Sequence, residues 1–314
     1  MTEPAKPDVS ENLSHGHLVA YLILALVALL WAANTILARA TAEETSPMAL
    51  TFWRLFISAL IFAPFALKNT WRHKSVVRQN FWLLNGLAFL SMAAFNGLVY
   101  LGLQYTVAIN GNLLQGALPI CIMLAGIFFA RKKLTKCQCV GVTLGMFGLI
   151  SIVIRGDIGL LAQMQINPGD ALLFLGVFGS ATYAVLLYKR PAELNLVSFM
   201  FVTMVLATVQ ILPFFIVEHF LFRPMPISQT AILTVVFVAL FPSVLAHAFF
   251  AEGVRRVGAA KAGYMIYLTP VFGVFMATAI LEEPFCFYHG TGIALIASGI
   301  YLATFAGRQK TKTT

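Results

Sequence analysis

Ten long apolar runs separated by short polar stretches organise the 314 residues. They are Leu18–Ala38, Met48–Leu67, Phe81–Leu103, Val107–Phe129, Cys137–Ile154, Asp170–Tyr188, Val197–Val217, Thr230–Phe250, Ala259–Ile280 and Tyr288–Ala306. About 20 apolar residues at 1.5 Å each cross the roughly 30 Å of a bilayer's hydrocarbon, so every run reads as a transmembrane helix. The runs are continuous rather than alternating, which excludes a membrane β-barrel. The expected fold is therefore an all-α integral membrane protein with ten transmembrane helices. A secretion signal's apolar region spans roughly 7–15 residues. Leu18–Ala38 is longer, so it is expected to remain as the first helix although Ala38-Arg39-Ala40 mimics a cleavage site.

The charges between the runs set the orientation. In the ten-helix reading, 17 of the 21 Lys and Arg residues fall on one side, three (Arg39, Arg155, Arg223) on the other, and Arg54 within a helix. The positive-inside rule then places both termini and the Lys68–Asn80, Arg131–Lys136 and Lys189–Leu196 loops in the cytoplasm of a multi-pass protein of the cytoplasmic (inner) membrane.

The two halves match each other. A shift of 151 residues puts Gly102 on Gly253, Ala108 on Ala259, Pro119 on Pro270, Gly141 on Gly292 and Gly148 on Gly299, and a shift of 149 puts Pro64-Phe65 on Pro213-Phe214. The expected organisation is a cytoplasmic tail (1–17), a five-helix repeat (18–154), a second repeat (170–306) and a second tail (307–314). Five is odd, so the second repeat enters the membrane inverted, an arrangement used by secondary transporters. The same shift maps Glu283, at an outer helix end, onto Lys132 at an inner one.

Composition agrees: 60% of residues are hydrophobic and 11% charged, against about 25% charged in soluble domains. The net charge of +9 is accounted for by topology, with no nucleic-acid partner implied. Cys121, Cys137, Cys139 and Cys286 lack zinc-site spacing, and no metal or cofactor is expected.

The segment Leu268-Thr269-Pro270-Val271-Phe272, with Leu281-Glu282-Glu283-Pro284 and Gly292-Ile293-Ala294-Leu295 followed by Gly299, resembles the second half of EamA-type members of the drug/metabolite transporter superfamily. The first half is similar, with Trp31 in mid-helix, Arg54 at the family's second-helix arginine position, and Leu118-Pro119, Gly141 and Gly148 on its fourth and fifth helices. It departs at Arg131-Lys132-Lys133, where the family commonly has an acid. The resemblance implies ten helices in inverted repeats and export or exchange of metabolites.

A transporter needs polar groups near the midplane. Expected substrate-binding residues are Asn34, Arg54, Asn96, Tyr100, Gln115, Tyr183, His247, Tyr264 and Tyr267, with Pro119 and Pro270 as related hinges. A proline leaves the carbonyl four residues earlier without its donor, here Gln115 and Ile266. Arg54 either binds an anionic substrate group, pairs with Glu43 or Glu44, or snorkels to the headgroups. Asn96 and His247 are equivalent under the 151 shift and fall on opposite sides of the midplane; His247, with an unperturbed pKa of about 6.5, is the candidate carrier of a coupling proton.

No His-Glu-x-x-His pair, paired intramembrane carboxylates or phosphate-binding loop occurs in the sequence, so neither a membrane enzyme nor an ATP-driven pump is expected. The reading is a secondary active transporter of a small polar metabolite, an amino acid or related compound. The alternative is a channel or facilitator for small solutes.

Overall fold

The computed structural model describes residues 9–131, 135–155, 157, 167–257, 262, 265–266 and 268–302, and every regular element among them is helical. The first half contains α1 (Val9–Ala40), α2 (Pro47–Arg72), the short α3 (Lys74–Gln79), α4 (Phe81–Ala88), α5 (Ala94–Gly102), α6 (Ala108–Gly116), α7 (Leu118–Ala130) and α8 (Lys136–Val153). The second contains α9 (Pro168–Leu186), α10 (Leu196–Val217), α11 (Gln229–Val238), α12 (Ala246–Val257), α13 (Leu268–Ile280) and α14 (Phe287–Tyr301). The π turn Phe89–Ala93 joins α4 to α5, and the π turn Ala239–Leu245 joins α11 to α12.

Local chemistry sets the helix starts. Thr135 and Gln138 form a capping box on α8, and Asn167, Asn195 and Ser228 each accept a backbone N–H at the starts of α9, α10 and α11. Pro47 and Pro168 occupy first-turn positions, where their missing N–H costs nothing. α1 begins at Val9, so helix continues into the polar tail expected before Leu18. α3, in the loop after α2, was not expected.

Six helices are long and apolar enough to cross a membrane: Leu18–Ala40, Pro47–Arg72, Phe81–Gly102, Pro168–Lys189, Leu196–Phe222 and Gln229–Val257. The pair α6 and α7, bent by 49°, makes a seventh if it is one span. The other three expected spans hold the shorter helices α8, α13 and α14. α13 stops at Ile280, where Glu282 turns into the left-handed region (φ 54°) and Pro284 follows. Large aromatic side chains face outward near the helix ends, as Trp71 (74% exposed) and Trp82 (82%) do.

The contacts between the halves come in exchanged pairs. α1 packs on α12 and α13, while α9, first in its own half, packs on α5 and α7. α2 packs on α10, and α8 on α14. α2 and α10 run antiparallel: Glu218, after the end of α10, accepts the backbone N–H groups of Met48 and Ala49, and Ser198 at the start of α10 donates to Ala66 O late in α2.

The 151-residue register recurs in the backbone. It carries the π turn Phe89–Ala93 into the π turn Ala239–Leu245, and left-handed Arg131 (φ 49°) onto left-handed Glu282. Along the α8 and α14 seam a Cβ on Gly148 would stand 2.9 Å from Gly292 O, and one on Gly299 2.5 Å from Gly141 O. The four glycines of the register therefore meet crosswise, Gly148 on Gly292 and Gly299 on Gly141, because only a bare Cα permits this approach.

Candidate functional site

The first polar cluster is built around Arg54, which is 7% exposed. Its Nε donates to Ser243 Oγ at 2.6 Å, and its Nη1 to Tyr100 Oη at 2.6 Å and Asn34 Oδ1 at 3.3 Å. Tyr100 in turn donates its hydroxyl to Asn34 Oδ1 at 2.7 Å, so it is present as the neutral phenol. α1, α2 and α5 of the first half thus meet the α11–α12 π turn of the second.

Pro242 makes that turn polar. It has no N–H to offer Val238 O, and Ser243 Oγ donates to this carbonyl at 2.7 Å. Two neighbouring carbonyls of the turn also take side-chain donors. Ser58 Oγ lies 3.2 Å from Ala239 O, and Trp31 Nε1 donates to Pro242 O at 3.2 Å. Such widened turns cluster at functional sites.

The other expected residues fall around this cluster or away from it. His247, one turn beyond Ser243 on the same helix face, packs edge-on against Trp31 with ring centroids 5.7 Å apart. Asn96, one turn before Tyr100, is buried and donates to its own helix at Met92 O. Gln115 donates to Thr35 Oγ1 at 3.0 Å, which sets it beside the residue following Asn34. Tyr183 lies elsewhere, in an apolar cluster with Leu84, Leu194 and Phe199. Tyr264 and Tyr267, and the neighbouring Lys261, lie outside the described residues.

Two expectations for Arg54 are corrected. It does not pair with Glu43 or Glu44: Glu44 accepts from the Ser228 hydroxyl at 2.8 Å, and the Glu43 carbonyl accepts from Arg223. Nor does it snorkel, since its donors turn inward to α1, α5 and the π turn. Of the two expected hinges, Pro119 follows a break at Ala117 and sits in the first turn of α7. Pro270 sits in the first turn of α13. Pro270 packs on the bare Cα of Gly116, where a Cβ would meet its ring at 2.4 Å, so the two proline segments touch at the break.

A second polar cluster, absent from the sequence-based list, ties three helix starts together. Fully buried Asp170 on α9 accepts from Thr106 Oγ1 at 2.6 Å and from Asn110 Nδ2 at 3.2 Å. Asn110 Oδ1 lies 3.2 Å from Nε2 of buried His289 on α14, whose Nδ1 accepts the Cys286 N–H. Close by, the Glu283 carboxylate accepts from Ala108 N and Ile109 N, capping α6. The signal available in the sequence was an acid as the first residue of an apolar run, which reads equally as a helix-dipole charge.

A two-half helical bundle with long apolar helices and a buried cation held by groups from both halves has the architecture of a membrane transporter. Comparison with known proteins agrees. The EamA-like transporter family matches residues 18–154 and again 167–305, so the chain belongs to that family and is a multi-pass membrane transporter. It is 26% identical over 92% of its length to a Bacillus subtilis protein described as "Uncharacterized transporter YyaM", 94% of which is covered. It is 24% identical to an "Uncharacterized transporter" of Archaeoglobus fulgidus, with 90% of this chain and 96% of that protein covered. The Escherichia coli protein "Uncharacterized inner membrane transporter YhbE" is 22% identical, with 82% and 80% covered. A crystal structure with 21% sequence identity superposes at a TM-score of 0.59, covering 94% of this chain and 99% of that one, and so shares the fold.

Proposed function

We propose that this transporter is a secondary carrier that moves a small polar metabolite, an amino acid or a related compound, across the cytoplasmic membrane by alternating access, as an exporter or exchanger. The observation that carries this reading is the Arg54 cluster, in which groups of the first half meet Ser243 of the second. A site shared between halves changes shape when the halves move against each other, as alternating access requires. Counterflow in proteoliposomes tests it: preloaded substrate accelerates uptake only through a carrier, and equal rates with and without preloading identify a channel instead.

In this reading the chain forms ten spans in two inverted repeats with both termini cytoplasmic. The antiparallel pairing of α2 and α10 and the 17 to 3 charge split support it. With the native cysteines replaced, Ser75→Cys on α3 should react with a membrane-impermeant thiol reagent only after the cells are opened; labelling of intact cells overturns the topology. His247, one turn from Ser243, is assigned the coupling proton. His247→Gln should abolish the pH dependence of transport between about pH 5.5 and 8, and an unaltered pH profile removes the assignment.

A further inference from the structure

The Arg54 guanidinium stays charged at any physiological pH and lies buried in the bundle, where an isolated charge is costly. Such a charge normally takes a carboxylate partner. Here the partners are neutral: the Ser243 hydroxyl, the Asn34 amide oxygen and the Tyr100 phenol. No hydrogen bond joins Nη2 to any described residue.

The chain is poorly supplied with alternatives. Residues 45 to 156 contain no Asp or Glu, so any counter-ion must come from elsewhere in the sequence. Glu3, Asp8 and Glu11 precede the first apolar run, and Glu43 and Glu44 belong to the turn after α1. Asp170 is held by Thr106 and Asn110, Glu218 caps α2, and Glu283 caps α6. Glu252 pairs with Arg255 and Arg256, and Asp157, Glu193 and Glu282 lie in the connections after α8, before α10 and after α13.

We propose that the substrate carries the counter-ion: a small monoanionic carboxylic acid whose carboxylate docks on Arg54. The proposal rests on the carrier reading and narrows its substrate class. Two features favour a carboxylate. The planar guanidinium fork matches carboxylate geometry. One positive charge with neutral neighbours is balanced by one negative charge, whereas a phosphate monoester leaves an excess. Among the described residues no carboxylate joins the cluster to receive an ammonium group, so a carboxylic acid lacking one fits better than a zwitterionic amino acid. The four cluster residues come from both halves, so a bound carboxylate bridges the elements that must separate when the site opens.

The test uses full-length protein in proteoliposomes loaded with the small-molecule extract of the expression host, with redistribution across the membrane read by mass spectrometry. Wild-type protein should exchange compounds that bear a carboxylate and no ammonium. Arg54→Gln should lower that exchange about 100-fold, the scale set by removing one partner of a buried charged contact. Arg54→Lys keeps the charge without the fork and should lower it about tenfold. Tyr100→Phe leaves the guanidinium in place and should weaken the concentration dependence several-fold without changing which compounds move, so the proposal stays testable if Arg54→Gln does not fold. If nothing is exchanged by wild type, the carrier reading fails. If the exchanged compounds are neutral, cationic or zwitterionic, or if carboxylates move equally through Arg54→Gln, the carrier reading stands and this assignment is overturned.

Discussion

Two buried ionisable residues, Arg54 and Asp170, are each surrounded by neutral hydrogen-bonding groups, yet the surroundings differ. Both oxygens of Asp170 are engaged by Asn110, one of them also by Thr106, and the network continues to His289. Its members sit at or beside the starts of α6, α9 and α14, so the network joins three helix ends in one place. Arg54 lies inside α2, against a widened turn whose Val238, Ala239 and Pro242 carbonyls take side-chain donors. Among the described residues its Nη2 has no hydrogen-bond partner. The contrast separates a closed polar joint, suited to holding elements together, from an open one, suited to a ligand. Partner count and placement decide this, since burial is common to both.

The contrast is broken or sharpened by the following measurements, in descending order of expected effect. Arg54→Gln should reduce exchange about 100-fold while the purified protein keeps a near wild-type thermal midpoint. An equal loss of stability would make Arg54 a structural residue like Asp170. Asp170→Ala leaves the Thr106 hydroxyl and the Asn110 amide without their acceptor, a loss of about 3 kcal/mol visible as a lowered unfolding midpoint in detergent. Exchange per folded molecule should stay within about twofold of wild type, a free-energy change near 0.4 kcal/mol. If exchange collapses in folded protein, the second cluster belongs to the transport cycle.

Gly148→Ala probes the scaffold outside both clusters. Its Cβ would meet Gly292 O and Ile296 Cγ1 at 2.9 Å, and forcing α8 from α14 should destabilise by about 2 kcal/mol. An unchanged midpoint would mean that this seam yields easily. Glu218→Gln is expected to do least, near 0.5 kcal/mol, because the amide oxygen still accepts from Met48 and Ala49 and only the charge at the start of α2 is lost. A larger loss would give that capping carboxylate a role beyond the helix dipole.

Several individual features were legible before any coordinates. The long apolar runs are visible as composition, and six recur as helices of spanning length. The match of Gly141 with Gly292 and of Gly148 with Gly299 is visible as a register, though the register alone does not say that Gly148 touches Gly292 and Gly299 touches Gly141. Asn34, Arg54 and Tyr100 could be singled out because polar residues in hydrocarbon need partners. Their mutual bonding could not, because Asn34 and Tyr100 are 66 residues apart and Arg54 meets Ser243 across 189. Ser243 could be set one turn before His247 on the same helix face, but not against Arg54. Its hydroxyl donates to Val238 O of its own helix and accepts from Arg54 Nε.

Sequence by itself determined that the chain is helical and membrane-spanning, that its halves are related, and that residues 45 to 156 hold no acid to neutralise Arg54. These follow from hydropathy, period and inventory, which are properties of residues taken singly or at a fixed spacing. Tertiary structure alone decided which side chains meet around Arg54 and which around Asp170. Hydrogen-bond satisfaction depends on angstrom-scale distances between segments far apart in the chain, and an apolar run of suitable length fits many helix rotations that would each bring different groups together.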